Sequence, residues 1–348
     1  MFHSYTRAER KNNRNAQLGL QIPTISEEIR VSQPTVTYNE GIALPTVEAI
    51  IPSFNWGDRL KLCLEKLVVQ KYRGKFTITV VDGGSEDDTV NIAKEFGCNL
   101  LTRKGAPPDG LCGLINFGIT NSYADLIWIV AIDNLMFDSS ALEELVRPFV
   151  EESSIDMAIP IQIPNPEYEP FTNYLTYKEM LPIKQMISES VDRGAWHLVN
   201  DVWYGINNSS LVRREAIKEV GGWDRDIRVL RRMRELGISR GAIVKNAFYY
   251  HDQRVGPLTF VKKIRRRIIF FGKISNVTSE YFVEEKNKSI NTGLHSLFSS
   301  SVLSSLRNYK ETKDTVWLYG LLFPLLVFLA ALSAPFSTIK VLVNGTFL

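Results

Sequence analysis

"DLIWIVAIDNLMFD", residues 125–138, decides how this chain is read. The run Leu126-Ile127-Trp128-Ile129-Val130 is continuously apolar, as a strand covered on both faces is. Such a strand ordinarily leaves the core through a polar turn. This one ends in a carboxylate and an amide, Asp133-Asn134, and goes straight back to apolar Leu135 and Met136. Taken singly, a strand-end Asp is more often a turn former than a metal ligand. The segments around it decide between the two.

Upstream, "VEAIIPSF" from Val47 reads as a short strand that Pro52 and a loop through Asn55 and Gly57 bring to an end. In residues 58–70 the spacing of Leu60, Leu64, Leu67 and Val68 predicts a helix with one apolar face. "FTITVVD" (76–82) is a second strand, and "GGSEDDTVNIAKEFG" a turn and helix with Ser85 or Asp87 at its start and Gly97 as its stop. "NLLTR" predicts a third strand, "GLINFGITNSYA" a helix and "DLIWIVAID" the fourth strand, running as far as Asp133. Strands alternating with helices at this spacing predict a doubly wound α/β domain with a mostly parallel sheet.

Beyond it, a helix to about Glu151 and a strand in "DMAIPIQIP" (156–164) are expected. Residues 165–200, rich in Pro and Tyr, read as a long loop with helical turns. Two helices are expected over 207–224 and 228–239, then a strand in "AIVKNAFYYH".

In an open α/β sheet, ligands bind outside the carboxyl ends of the strands. Three such ends carry suitable groups: Pro52-Ser53-Phe54-Asn55, Asp82-Gly83-Gly84-Ser85 and Asp133-Asn134. Glycines let backbone approach a ligand, Asp82 can accept bonds from a base or ribose, and a carboxylate with phosphate oxygens can hold a divalent ion. Three in order, each closing a strand, are poorly explained as turns alone.

Residues 47–253 resemble the family-two glycosyltransferases of the GT-A nucleotide-diphospho-sugar transferase fold. The likeness lies in "VEAIIPSFN", "CLEKLVVQKY", "ITVVDGGSEDDT" and "NFGITNSYADLIWIVAID". It implies an inverting transferase using a nucleotide-sugar and a divalent cation, Mn2+ or Mg2+. Asp82 with Gly83 would then lie on the base or ribose, with Pro52, Ser53 and Asn55 nearby. Laid on the family's Asp-x-Asp motif, this chain has Ala131 at the first position and Asp133 at the second, so one of two carboxylates is missing. The resemblance leaves Asp133 on the metal and diphosphate, with Asn134 as a helper.

The family's catalytic acid precedes a helix ending in an Arg-rich turn, after a Gly-Gly-aromatic-Asp turn. "GGWDRDIRVLRRMRELG" keeps both, which puts the base on Asp226, with Asp224 as the rival and Arg225 where a second acid is usual. Asp226 as a plain helix cap is the competing reading. Arg231 and Arg232 are candidates for the diphosphate or for a solvated face, and His251 for the metal or for a structural role. His197 carries no strong signal. Trp196 and Trp203 stack on a sugar or pack the loop.

Composition bounds the rest. The 348 residues carry a net charge of +3, too small to argue for nucleic acid. Cys63, Cys98 and Cys112 have neither metal-ligand spacing nor an even count, which predicts reduced thiols. Residues 1–43 read as a flexible or loosely docked arm without an apolar signal, and 44–255 as the transferase domain. Residues 256–311 read as a basic, amphipathic membrane-surface region, centred on "FVKKIRRRIIFFGK", and 312–348 as an anchor. "VWLYGLLFPLLVFLAALSA", Val316–Ala334, is uncharged and about long enough to span or re-enter a bilayer. Pro324 favours a buried helix or an interfacial hairpin instead. The basic bias places the catalytic part on the cytoplasmic side.

The expectation is thus a membrane-associated hexosyltransferase-like enzyme acting on a lipid-linked or cell-surface glycan acceptor. A non-catalytic relative that binds nucleotide or a partner protein is the alternative. A nucleotidyltransferase would need a glycine-rich basic loop after the first strand, and "SFNWGD" is not one.

Overall fold

The computed structural model describes residues 43–103, 110–206, 209–224, 226–253, 255–271, 302–303, 305–310 and 315–333. The arm expected over 1–43 lies, but for Ala43, outside them, as does most of the linker after Phe271. The chain divides into two compact units, Ile29–Ile163 with Ile183–Asp252, and Met1–Glu28 with Pro164–Pro182 and Gln253–Leu348.

The first unit is built on one mixed sheet. Its strands are β1 (Val47–Ser53), β2 (Phe76–Asp82), β3 (Asn99–Thr102), β4 (Leu126–Ile129), β5 (Asn134–Met136), β6 (Met157–Gln162), β7 (Val191–Asp192), β8 (Trp196–Val199), β9 (Leu211–Arg213) and β10 (Gly241–His251). The order is β3-β2-β1-β4-β9-β6-β10-β8-β7, with β5 paired to β10. The β3-β2-β1-β4 half is parallel throughout, and β10 runs parallel to β6. Strands β5, β8 and β9 run against their neighbours. The expected α/β architecture is present.

Helices α1 (Gly57–Leu67), α2 (Thr89–Glu95) and α3 (Gly110–Asn121) follow β1, β2 and β3, and α4 (Ala141–Glu151) follows β5. α1 buries Leu60, Cys63, Leu64 and Leu67 on one face against the core around Trp128, each large side chain contributing about 1.5–3 kcal/mol. Val68, expected on that face, lies past the helix end and is exposed. α3 comes so close to β1 that a Cβ on Gly118 would stand 2.8 Å from Ile50.

Three expectations are corrected. The fourth strand, expected to run as far as Asp133, does not continue to it. It leaves its ladder after Ile129, turns through Ala131 and restarts as β5 against β10. Leu211–Arg213 is a strand, not helix, inserted antiparallel between β4 and β6 and followed by α6 (Arg214–Glu219). The supposed loop at 165–200 contains α5 (Pro170–Ser188), Pro182 included, and the β7–β8 hairpin. Pro170 at the first helical position suits a helix start, since its missing N–H has no partner there anyway.

The second unit holds the beginning of α5, α8 (Pro257–Phe271), a 3-10 turn (Thr315–Leu318) and α9 (Tyr319–Leu332). Its core is aromatic. Phe260 lies 5.4 Å from Phe171 and 5.1 Å from Phe323 between ring centroids, and Tyr174 meets Trp317 edge to face at 6.2 Å. At about 1.5 Å per residue, the 14 residues of α9 measure roughly 21 Å, short of the ~30 Å of a bilayer core. Among the described residues no helix is long and apolar enough to cross a membrane.

Candidate active site

The register of the parallel strands lines up the predicted loops. Ser53 pairs with Asp82, and Asp82 with Thr102, so β1, β2 and β3 end on one lip. The β1 and β2 loops are stitched together there. Gly83 N–H donates to the Ser53 carbonyl at 2.9 Å, Asn55 N–H to Ser85 Oγ at 2.9 Å, and Glu86 N–H to Asn55 Oδ1 at 2.8 Å. Asn55 adopts φ +53, a left-handed value that Asn tolerates better than most residues. Ser53 is buried, and its Oγ has no hydrogen-bond partner among the described residues.

Asp82 is 1% exposed. Its carboxylate accepts from Gly84 N–H at 2.9 Å and from the N–H and Oγ of Ser85. In this structure it organises its own turn. Gly83 has little room above it, because a Cβ would meet Phe54 at 3.3 Å.

Asp133 and His251 are brought together by the β5–β10 pairing, in which Asn134 faces His251 and Asp252 N–H donates to the Asp133 carbonyl at 2.7 Å. His251 Nε2 lies 3.4 Å from Asp133 Oδ2. Arg59, in the first turn of α1, places a guanidinium 3.9 Å from the same oxygen and lies 5.3 Å over the Trp56 ring. Burial pushes the Asp133 carboxyl up, but the His251 hydrogen bond, the His251 charge and Arg59 more than offset it, and the group is held below the ordinary carboxylate range. Asp133 is therefore a charged carboxylate at the lip. Asn134 is buried, and its Oδ1 has no hydrogen-bond partner among the described residues.

A divalent cation fits this pair in part. Two ligands of one small cation, each about 2.1 Å from it, stand roughly 3 Å apart, close to the observed carboxylate–imidazole separation. Among the described residues no group of three or more His, Cys, Asp and Glu could hold a metal. Asp133 and His251 would thus supply at most two positions, leaving the rest to water and to a ligand's oxygens.

The Gly221–Asp224 turn is pinned from a distance in sequence. Asn116 on α3 donates from Nδ2 to the Trp223 carbonyl at 2.8 Å and accepts from Trp223 N–H at 2.6 Å. Gly222, at φ +97, has no space for a Cβ against Asn116. Asp224 Oδ2 lies 3.7 Å from Arg228 and 3.9 Å from Arg232, and Arg232 also donates to the Gly222 carbonyl at 2.9 Å. Arg232, a candidate diphosphate ligand by sequence, is thus engaged with this turn. Asp226 opens α7 (Asp226–Glu235). Its side chain, and all of Arg225, lie outside what is described.

His197 lies on β8 with Nδ1 3.1 Å from Ser190 Oγ, and Trp196 is buried with its N–H on Glu151. Arg59 and Asn116 are the residues that the sequence reading missed. Neither sits in a motif, and only the packing of α1 and α3 reveals them.

The fold and this lip define an α/β domain with a candidate site at the carboxyl ends of its strands. Residues 48–221, half of the chain, match Glycosyl transferase family 2, and the chain belongs to that family. It is similar to an uncharacterized glycosyltransferase of Mycobacterium tuberculosis, 34% identical over 86 residues, covering 25% of this chain and 33% of that protein. A PGL/p-HBAD biosynthesis glycosyltransferase of Mycobacterium bovis is 28% identical over 119 residues, covering 33% of this chain and 46% of that protein. The chain thus matches less than half the length of these relatives. Among solved structures it resembles the mannosyltransferase PcManGT of Pyrobaculum calidifontis in complex with GDP-Man and Mn2+. That match has a TM-score of 0.47 at 14% identity and covers 87% of this chain and 79% of that one, a likeness too distant to carry an argument about ligands.

Proposed function

We propose that this chain is an inverting glycosyltransferase that moves a sugar from a nucleotide-diphosphate donor to a hydroxyl of a lipid-linked or cell-surface glycan. The observation that carries the reading is the charged Asp133 carboxylate beside His251 at the lip where the β1 and β2 loops end. Family membership supports it. Asp133 and His251 would hold Mn2+ or Mg2+, and a cation bound there supplies positive charge to a diphosphate leaving group.

The chain's own residues do the rest. Pro52, Ser53, Asn55 and Gly83 form a backbone wall, fixed by the Asn55–Ser85–Asp82 bonds, against which the nucleoside lies. Asp226 is the base. It takes the proton of the acceptor hydroxyl as that oxygen attacks the anomeric carbon and the nucleoside diphosphate departs. Asp224 holds the turn ahead of it through Arg228 and Arg232, and is the alternative base.

A second reading, a non-catalytic relative, draws on Ala131 where the family has its first motif Asp. The two separate on purified protein given a panel of labelled nucleotide-sugars and a detergent-solubilised lipid fraction, with and without manganese. Metal-dependent transfer that Asp133→Ala abolishes supports the enzyme. Tight nucleotide binding without turnover across the panel supports the alternative.

A further inference from the structure

α9 is apolar all round, which is the composition of a helix buried on every side. It is not so buried. Phe323, Leu326, Val327 and Ala330 form its inner face, all less than 10% exposed. The outer face carries Leu321, Leu322, Leu325, Phe328 and Leu329, continued by Leu318 at the end of the preceding 3-10 turn, each 38–49% exposed. Steps of three and four place those six on one stripe, opposite the inner face. Water is a poor neighbour for a continuous apolar stripe of this size.

The inner face is also fixed in place. Phe323 packs on Phe260 of α8, Arg265 Nε donates to the Ser333 carbonyl at 2.7 Å, and Gly320 lies against Ser305 with no room for a Cβ. A helix so docked keeps its inner side on the protein, and only its outer side is left to meet another surface. Charge then identifies what covers the outer side. Lys262, Arg265, Arg266, Arg307 and Lys310 are exposed, and neither α8 nor residues 302–310 and 315–332 contain an acidic residue. The acids of the same unit, Glu167, Glu169, Glu179, Glu311 and Asp314 among them, lie outside those segments and are fewer than its cations. An apolar stripe on a unit whose helix α8 carries several cations and no acid matches an anionic bilayer surface, where side chains of the stripe enter the acyl boundary and cations stay among headgroups. A second copy of this chain would bring the same positive charges together.

We propose that the outer stripe of α9 docks in the plane of one leaflet of an anionic membrane, with the α8 cations on the lipid headgroups, so that the unit binds peripherally and does not cross. This deepens the lipid-linked acceptor reading, on which it rests. It is tested without any sugar donor, so failure of the transferase reading leaves it standing or falling by itself.

The experiment is flotation of the full chain with phosphatidylcholine vesicles, with and without phosphatidylglycerol, followed by alkaline extraction, with light scattering on the free protein. Expected are recovery with anionic vesicles, release by alkali, and at least about tenfold less bound protein for Leu322→Glu with Leu325→Glu. Lys262→Glu with Arg266→Glu, which leaves the apolar stripe intact, should cut anionic binding by about fivefold or more per residue. Retention after alkaline extraction would overturn the proposal in favour of a span. Equal binding to neutral vesicles would overturn the role of the cations. No flotation, with a dimer that Leu322→Glu and Leu325→Glu dissociate, would assign the stripe to a second copy.

Discussion

His251 and Asp133, far apart in the chain, meet with Nε2 and Oδ2 3.4 Å apart, because a three-residue strand after the Asp133 turn pairs with the end of β10. The pairing, rather than any local motif, gives the lone carboxylate its partner and keeps its charge.

That charge has a pH signature. The folded-state pKa of Asp133 is lowered despite burial, through His251 and Arg59. Its stabilisation is present above the unfolded carboxylate value, about 3.9, and is lost as pH falls through the lower folded value. Wild-type protein should therefore lose more stability from pH 5 downward than Asp133→Asn, measured by urea unfolding at each pH. Parallel losses would show that the pair contributes nothing to folding.

Arg59 shares Oδ2 of Asp133 with His251. If the lip binds a diphosphate, the guanidinium adds positive charge there. Arg59→Ala should weaken nucleoside diphosphate binding by about tenfold, read by calorimetry with and without manganese, while Arg59→Lys keeps part of it. Unchanged affinity in both would remove Arg59 from the site.

For the base, Asp226→Asn should lower turnover by roughly 10²–10⁴-fold with donor affinity unaffected, because the base acts on the acceptor. Asp224→Asn should instead loosen its turn, with an effect on stability of about 1 kcal/mol or less, as its ion pairs with Arg228 and Arg232 are partly exposed. If Asp224→Asn alone stops turnover, the roles are exchanged.

Asn116 offers a test at a distance. Its amide makes both bonds to the Trp223 backbone, so Asn116→Ala should cost about 1–3 kcal/mol in chemical denaturation. Turnover should fall with it if the turn positions the base. Loss of stability with full turnover would mean that the turn serves folding alone.

Much of this was legible beforehand. The β-branched runs of β1 and β2, the Leu spacing of α1 and the stop at Gly97, which adopts φ +68, are local signals and the structure contains each of them. β9 was not legible, because three residues are too short a window for periodicity to distinguish strand from helix. α5 was misread because Pro170 and Pro182 mark breaks in most contexts, and only burial of Phe171, Tyr174 and Leu175 makes a helix worthwhile there.

The sequence by itself determined the α/β alternation, the strand end at Asp82 and the apolar character of 316–334, since these follow from composition and period. Tertiary structure alone decided that Asp82 turns inward to its own loop, that Asp133 keeps company with His251 and Arg59, and that α9 leaves one apolar face uncovered. The physical reason is the same in each case: a side chain's charge state and exposure are set by groups that approach through packing and strand register, and no local pattern of residues encodes who those neighbours will be.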